Sequence, residues 1–144
     1  MKPSTRGWLI GTTVMLAVAA VAFIYVQVGI VTESIKFDLK KIGESVYEAR
    51  ARDGRWPAGI TDLEGTSYLT MPYRRDLLET ETYVIVWPKD FDADPKANGA
   101  RILAYDNGSF LALLGRVWAC RGDLTVEQLR GEDLAAIKTA RTPR

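Results

Sequence analysis

The fold is decided by the stretch GWLIGTTVMLAVAAVAFIYVQVGIVT, residues 7–32, and by its continuation ESIKFDLKKIGESVYEARARD, residues 33–53. The first part holds no charged residue over 26 positions and is bounded by Arg6 and Glu33. A helix of roughly 20 apolar residues spans the hydrocarbon core of a bilayer. The sequence therefore predicts a transmembrane helix over residues 7–32, with the lipid bilayer as the first partner of the chain.

A cleaved signal peptide is the competing interpretation of the same stretch. Ala20-Val21-Ala22 resembles a small-residue cleavage site that follows a basic segment containing Lys2 and Arg6. The apolar run nevertheless continues to Val31, where a mature secreted chain normally turns polar. We therefore expect an uncleaved anchor, although the sequence leaves processing of the N-terminus open.

The charges on either side of the span predict its orientation. Lys2 and Arg6 precede it, and Glu33 is the first charged residue after it. Positive charge favours the cytoplasmic side, so residues 1–6 are expected in the cytoplasm and the remaining chain on the other side. The lysines at positions 36, 40 and 41 weaken this asymmetry.

The second part of the stretch predicts an amphipathic continuation of the helix over residues 33–53. Apolar residues recur at spacings of four and three, which is the period of one helix face. They are Ile35, Leu39, Ile42, Val46 and Ala49. Gly54 follows as a stop signal.

Residues 54–138 predict a soluble α+β domain, and residues 139–144 a flexible tail. Residues 58–81 have the composition of a loop with one short helical piece at most, and residues 110–114 are apolar but of undetermined type. Residues 82–87 and 101–105 predict strands, since β-branched and aromatic residues are bounded by turn residues. Residues 117–120 and 123–126 predict a hairpin around Arg121-Gly122.

A short C-terminal helix is expected after this hairpin. Thr125-x-x-Gln128 resembles a capping box, and it would open a helix with Leu129, Leu134 and Ile137 on one side. The predicted fold class is thus α+β. A long N-terminal helix, transmembrane in its first half, packs on a small antiparallel sheet, and a short helix ends the domain.

Composition excludes several classes of function. The chain has no histidine, which removes imidazole bases and imidazole ligands. Cys120 is the single cysteine, so the chain forms no internal disulfide or Cys-x-x-Cys pair, and a buried structural role is expected for it. The net charge of +1 gives no basic field for nucleic acid. We expect no enzyme activity, no nucleic-acid partner and no small-molecule substrate.

Three sets of residues are candidates for binding. Alternate aspartates in a loop can coordinate calcium, but Pro95 stands where an EF-hand-like loop needs glycine, so a solvated acidic loop is the simpler interpretation and no cofactor is expected. Small residues on one side of the span allow close packing of helices. Tryptophans can anchor a docking face, or they can simply belong to the core. The sets are Asp90, Asp92 and Asp94; Thr13, Ala17 and Ala20; and Trp56, Trp87 and Trp118.

The layout resembles bacterial type IV pilin-like proteins and pseudopilins. The step after the helix, Gly54-Arg55-Trp56-Pro57, is similar to the glycine-x-aromatic-proline turn of that group. The second half is similar to a subgroup with a C-terminal "H-x9-D-G" hairpin. The matching segments are Tyr83-Val84-Ile85-Val86, the loop from Asp90 to Pro95, Ile102-Leu103-Ala104-Tyr105, Val117 to Val126 and Glu127 to Ile137. The resemblance implies a pilin-like fold, a bacterial inner membrane and a periplasmic domain.

The chain departs from the pilin pattern at its processing site. If Gly7 is aligned with the processing glycine, Trp8 comes first and Thr12 stands where assembling pilins carry a glutamate. Arg121-Gly122-Asp123 replaces the Asp-Gly-His of the hairpin. These are the features of a pilin-like scaffold without its processing and assembly signature.

Two functions follow from these interpretations. The first is a non-catalytic, single-span accessory or structural subunit of a larger membrane protein complex, docked through its span and its periplasmic domain. The second is a pseudopilin-like subunit of a secretion or pilus machine. A membrane-anchored enzyme is a third class, which would need convergent carboxylates in a pocket.

Overall fold

The computed structural model describes residues 5–129, 131–133, 135 and 137. Contacts divide the chain into two compact units, Met1–Ser34 and Ile35–Arg144. The predicted tail at residues 139–144 lies outside the described residues, as do Lys2 and the Leu134 side chain. Helix α1 (Thr5–Asp53) supplies the described part of the first unit and the first element of the second.

The first unit exposes its apolar side chains. Met15, Phe23 and Tyr25 are 76%, 64% and 81% exposed, respectively. Among the described residues one helix is long and apolar enough to cross a membrane, judged by length and composition. A signal sequence near an N-terminus passes the same test. The finding is compatible with a single-pass membrane protein.

The second unit is built on the apolar stripe of α1. The five stripe residues are all buried in the structure, as their spacing predicts: Ile35, Leu39, Ile42, Val46 and Ala49. Each methylene that such a stripe removes from water stabilises the folded state by roughly 0.8 kcal/mol. This half of the helix packs on a four-stranded antiparallel sheet, so the α+β fold class is confirmed.

The sheet is a meander in the order β1-β2-β3-β4. Its strands are β1 (Tyr83–Ile85), β2 (Ile102–Asp106), β3 (Trp118–Arg121) and β4 (Val126–Gln128). Val84 lies opposite Tyr105, and Tyr105 lies opposite Ala119. An irregularity shifts the register of β2 against β3 between Ile102 and Ala104. Because the order is sequential, β1 and β4 are the two edge strands.

The segment between α1 and the sheet holds more helix than the sequence predicts. Two short 3-10 helices, Ile60–Leu63 and Tyr68–Thr70, precede α2 (Pro72–Glu79). Pro72 suits the first helical position, where its missing N–H leaves no hydrogen bond unmade. The prediction of one short helical piece was therefore too low, because turns of this length lack the periodicity that reveals a helix.

The capping box predicted at Thr125-x-x-Gln128 was wrong. Val126–Gln128 is strand β4, paired with Trp118, Ala119 and Cys120. The Thr125 hydroxyl donates to the Asp123 carboxylate at 2.6 Å instead of capping a helix. Sheet pairing outweighs the local helix signal here, and the described helical residues that follow are 131–133, 135 and 137.

The hairpin itself is present, but its turn is longer than predicted. Arg121 ends β3, and its N–H donates to the Thr125 carbonyl at 2.8 Å. The turn therefore occupies residues 122–125, and Leu124 takes a φ of 67° within it. Leu124 also donates its N–H back to the Arg121 carbonyl at 2.9 Å, which closes the turn.

A short helix, α3 (Phe110–Leu113), resolves the apolar segment of undetermined type. Its N-cap is Ser109, whose hydroxyl oxygen accepts the Ala112 N–H at 3.1 Å. The buried Asp106 carboxylate accepts the Ser109 N–H at 3.0 Å. These bonds fasten α3 to the end of β2.

Helix α1 lies close against the sheet at Gly43. A Cβ at this position would lie 2.8 Å from the Cys120 Sγ and 2.9 Å from Cδ2 of Leu124. Both distances are shorter than a normal van der Waals contact. The glycine is therefore required by the close approach of the two layers.

Candidate docking groove

An open groove lies on the face of the sheet that points away from α1. Cys120 lies beside Gly43, so the adjacent Ala119 faces the other side, and Tyr105, which pairs with Ala119, faces the same way as Ala119. The groove has a volume of about 700 Å³, within the range of ordinary ligand or peptide sites. Its lining includes Val84, Val86, Trp87, Phe91, Ile102, Tyr105 and Ile137, with Lys89, Asp90, Arg101, Arg121 and Asp133 among the charged lining residues.

Two arginines of the groove are held by their neighbours. The Arg101 guanidinium lies 5.2 Å from the Phe91 ring and donates to the Asp90 carbonyl at 2.7 Å. Arg121 forms an ion pair with Glu127. An apolar floor with a polar rim is the arrangement of a protein interface. The groove is suited to apolar side chains of a partner.

Edge strand β1 forms one border of the groove, and a second depression of about 440 Å³ lies beside it. Val86 donates its N–H to the Leu103 carbonyl at 2.8 Å, so the backbone of Val84 and Val86 faces β2. By the same alternation, the backbone of Ile85 faces outward. Trp87 lines both depressions.

Trp56 packs among other aromatic side chains of the second unit. Its ring meets Tyr47 and Phe91 edge-on, with centroids at 5.3 and 5.9 Å. Its N–H donates to the Phe91 carbonyl at 3.1 Å. Trp56 therefore connects α1 with the loop that follows β1.

Trp118 lies away from the groove. The Lys36 ammonium is 4.6 Å from the centroid of its ring, a cation–π distance. Its indole Nε1 is buried and has no hydrogen-bond partner among the described residues. Of the three tryptophans, only Trp87 lines the groove, and the docking role of Trp56, Trp87 and Trp118 stays a prediction.

The small residues of the span belong to the first unit. Ala17 lines a shallow apolar depression together with Val18, Val21, Ala22, Tyr25 and Val26. Thr13 and Ala20 are exposed but do not line it. Packing of Thr13, Ala17 and Ala20 against another helix stays a prediction.

Two of the three aspartates in the predicted calcium loop accept hydrogen bonds from nearby backbone N–H groups. The Asp92 carboxylate accepts the Asp94 N–H at 2.9 Å, and the Asp94 carboxylate accepts the Lys96 N–H at 3.0 Å. Asp90 is exposed. In the part of the chain that the structure describes, no three His, Cys, Asp or Glu side chains are grouped as metal ligands.

The loop is held by an asparagine that the sequence analysis missed. Asn98 is 3% exposed, and its amide donates to the Tyr47 hydroxyl and to the Asp92 carbonyl, both at 2.9 Å. Its carbonyl oxygen accepts the Asp92 N–H at 2.9 Å. Tyr47 in turn donates to the Gly122 carbonyl at 2.6 Å. This network fixes the wall of the groove that carries Phe91.

A buried polar cluster links α1, α2 and β1. The Tyr83 hydroxyl donates to Asp38 at 3.3 Å, and the Arg74 Nε lies 3.9 Å from the same carboxylate. Burial raises the pKa of Asp38, against the opposing effect of Arg74. Burial, with the nearby Asp38 charge, also raises the pKa of Tyr68 and of Tyr83. The cluster is enclosed, and it positions three elements of the fold.

Cys120 is buried in the core, as predicted. Burial raises the pKa of its thiol to about 12, with smaller contributions from Asp123 and Glu44. A thiol held protonated in this way is a poor nucleophile. Its role is to fill the space between β3 and α1.

Comparisons with known proteins give no match to a family model, a curated protein or a solved structure. The resemblance to pilin-like proteins therefore stays an interpretation of the sequence. The exposed apolar helix and the groove are the two features of the described residues that bear on function.

Proposed function

We propose that this chain is a non-catalytic, single-span accessory subunit of a larger membrane protein complex. In this proposal, residues 7–32 cross the bacterial inner membrane with the N-terminus in the cytoplasm. The second unit lies in the periplasm and docks on other subunits. One observation carries the proposal: the apolar residues of the first unit are exposed along the helix, so they require lipid or other helices around them.

The groove supports the docking part of the proposal. It offers apolar and aromatic side chains in the open, with Val86 41% exposed. A partner that buries Trp87 and Val86 would gain roughly 25 cal/mol for each square ångström of apolar surface removed from water. Aromatic residues in such positions commonly carry much of the binding energy of an interface.

The test is affinity purification of the tagged full chain from native membranes in mild detergent. The parent chain is expected to bring the subunits of one complex in fixed stoichiometry. Val86→Glu places a charge in the groove and should lose them, whereas Met71→Glu makes the same exchange at an exposed residue outside the groove lining. Equal retention by both variants, or purification of the parent chain alone, would contradict the proposal.

A pseudopilin-like subunit is the second candidate, favoured by the packing of α1 on an antiparallel sheet. Processing after Gly7 would shorten the chain by seven residues. The same purification therefore separates the two candidates. A shortened chain accompanied by other pilin-like chains supports the second.

A further inference from the structure

The loop that carries α3 exposes an unusual amount of apolar surface. Phe110, Leu113 and Leu114 are 65%, 77% and 61% exposed, respectively. Leu111, on the opposite side of the same turn, is 2% exposed and already anchors it to the core. The three exposed residues thus contribute little to the core of the second unit. Clustered exposed apolar residues mark an interaction site.

The position of this loop within the second unit follows from its two ends. It leaves β2 at Asp106, which lies opposite Tyr83, and Tyr83 donates to Asp38. It enters β3 at Trp118, whose ring lies 4.6 Å from Lys36 Nζ. Both ends therefore lie level with the first turns of α1 in this unit.

The direction of β3 places the loop beyond that level. Lys36 contacts Trp118, Gly43 lies against Cys120, and Tyr47 bonds to Gly122, so β3 runs in the same direction as α1. Residues before Trp118 therefore extend toward the start of the second unit, where the chain arrives from the apolar span. In the sequence, Lys36 follows Thr32, the last residue of the predicted span, by four positions.

We propose that the α3 loop, residues 107–117, inserts Phe110, Leu113 and Leu114 into the interface of the bilayer that residues 7–32 cross. The inference rests on the proposed membrane anchoring. The occupant is lipid because the chain tethers this end of the unit to the bilayer surface. Apolar side chains of an interfacial segment reach roughly 5–10 Å into the boundary between headgroups and acyl chains.

The charge of the loop fits a membrane surface. Residues 107–117 contain no aspartate or glutamate, and the exposed Arg116 lies two positions after Leu114. Lys36 adds a second cation at the same level. Basic residues beside an apolar segment favour anionic headgroups. A protein partner at this end would have to compete with lipid that is already present.

The test uses the full chain in vesicles of phosphatidylethanolamine with a minority of phosphatidylglycerol. An environment-sensitive NBD probe is attached to Leu113→Cys, to Val18→Cys in the span, and to Lys96→Cys on the loop held by Asn98. The buried Cys120 leaves the parent chain as a labelling blank. Lipids with a nitroxide high on the acyl chain report contact with the bilayer.

The probe at position 113 should shift to the blue and lose most of its emission to the nitroxide lipid, whereas the probe at position 96 should keep its emission. Strong quenching at position 18 without quenching at position 113 would overturn the inference but leave the anchoring intact. A blue shift at position 113 without lipid quenching would assign the surface to a second copy and also overturn it. Absence of quenching at position 18 would instead overturn the anchoring itself.

Discussion

Replacing Gly43 by alanine tests how closely α1 packs on the sheet. The new Cβ would lie 2.8 Å from the Cys120 Sγ and 2.9 Å from Leu124 Cδ2. Overpacking of a core costs about 1–3 kcal/mol, and the better helix propensity of alanine returns roughly 1 kcal/mol. We expect the unfolding free energy of Gly43→Ala to fall by about 1 kcal/mol.

The sulfur of Cys120 is the group that cannot move aside, since Cys120 is fully buried whereas Leu124 presents the end of a flexible side chain. Cys120→Ala alone should cost roughly 0.5–1.5 kcal/mol, as expected for loss of one buried heavy atom. In that background Gly43→Ala fills the vacated space and should become stabilising. The expected coupling free energy is at least about 1 kcal/mol in favour of the double variant.

The assay is urea unfolding of the full chain in mild detergent, followed by tryptophan fluorescence and analysed as a double-mutant cycle. Gly29→Ala is the control, because a Cβ there meets nothing within 4 Å. It should leave the unfolding of the second unit unchanged. Additive effects of Gly43→Ala and Cys120→Ala, within about 0.5 kcal/mol, would refute the close approach.

Three further predictions concern the buried cluster and the acidic loop. Burial raises the pKa of Asp38 above 3.8, so the folded state holds this proton more tightly and loses stability as pH rises through the folded pKa. Asp38→Asn removes that loss. In thermal melts, the stability of this variant relative to the parent chain should therefore increase from acid to neutral pH. A stability difference that does not change with pH would contradict the prediction. Asn98→Ala removes four hydrogen bonds to Tyr47, Asp92 and Asp94. Urea unfolding of this variant should show an unfolding free energy lower by roughly 2–4 kcal/mol. Calcium or EDTA should leave the melting midpoint unchanged, because the Asp92 and Asp94 carboxylates already accept backbone N–H groups; a midpoint that rises with calcium would count against this.

The local sequence predicted the structure where it depends on the repeat of apolar residues along a helix or on the turn residues that end a strand. The apolar stripe from Ile35 to Ala49 is buried on one face because a helix repeats every 3.6 residues. Strands β1 and β2 lie close to their predicted ranges, since each is followed by turn residues that end it. These features depend on neighbours in sequence.

The remaining features depend on contacts between distant residues. The sequence at Thr125 favours a helix cap, but Val126 pairs with Cys120 in the sheet instead. Only the register of the sheet determines this pairing. The link between Asp38 and Arg74 joins two helices, and no spacing predicts it. Gly43 was unremarkable in a helical pattern until the sheet placed Cys120 against it. The groove arises from the way the chain returns over the sheet, so its residues share no local motif.

The most direct test of the proposed function is native mass spectrometry of the chain released from native membranes in mild detergent. The proposed function predicts a chain of full length, bound in fixed stoichiometry within one membrane complex. A chain that is released alone, or one shortened by seven residues and bound to other pilin-like chains, would contradict it.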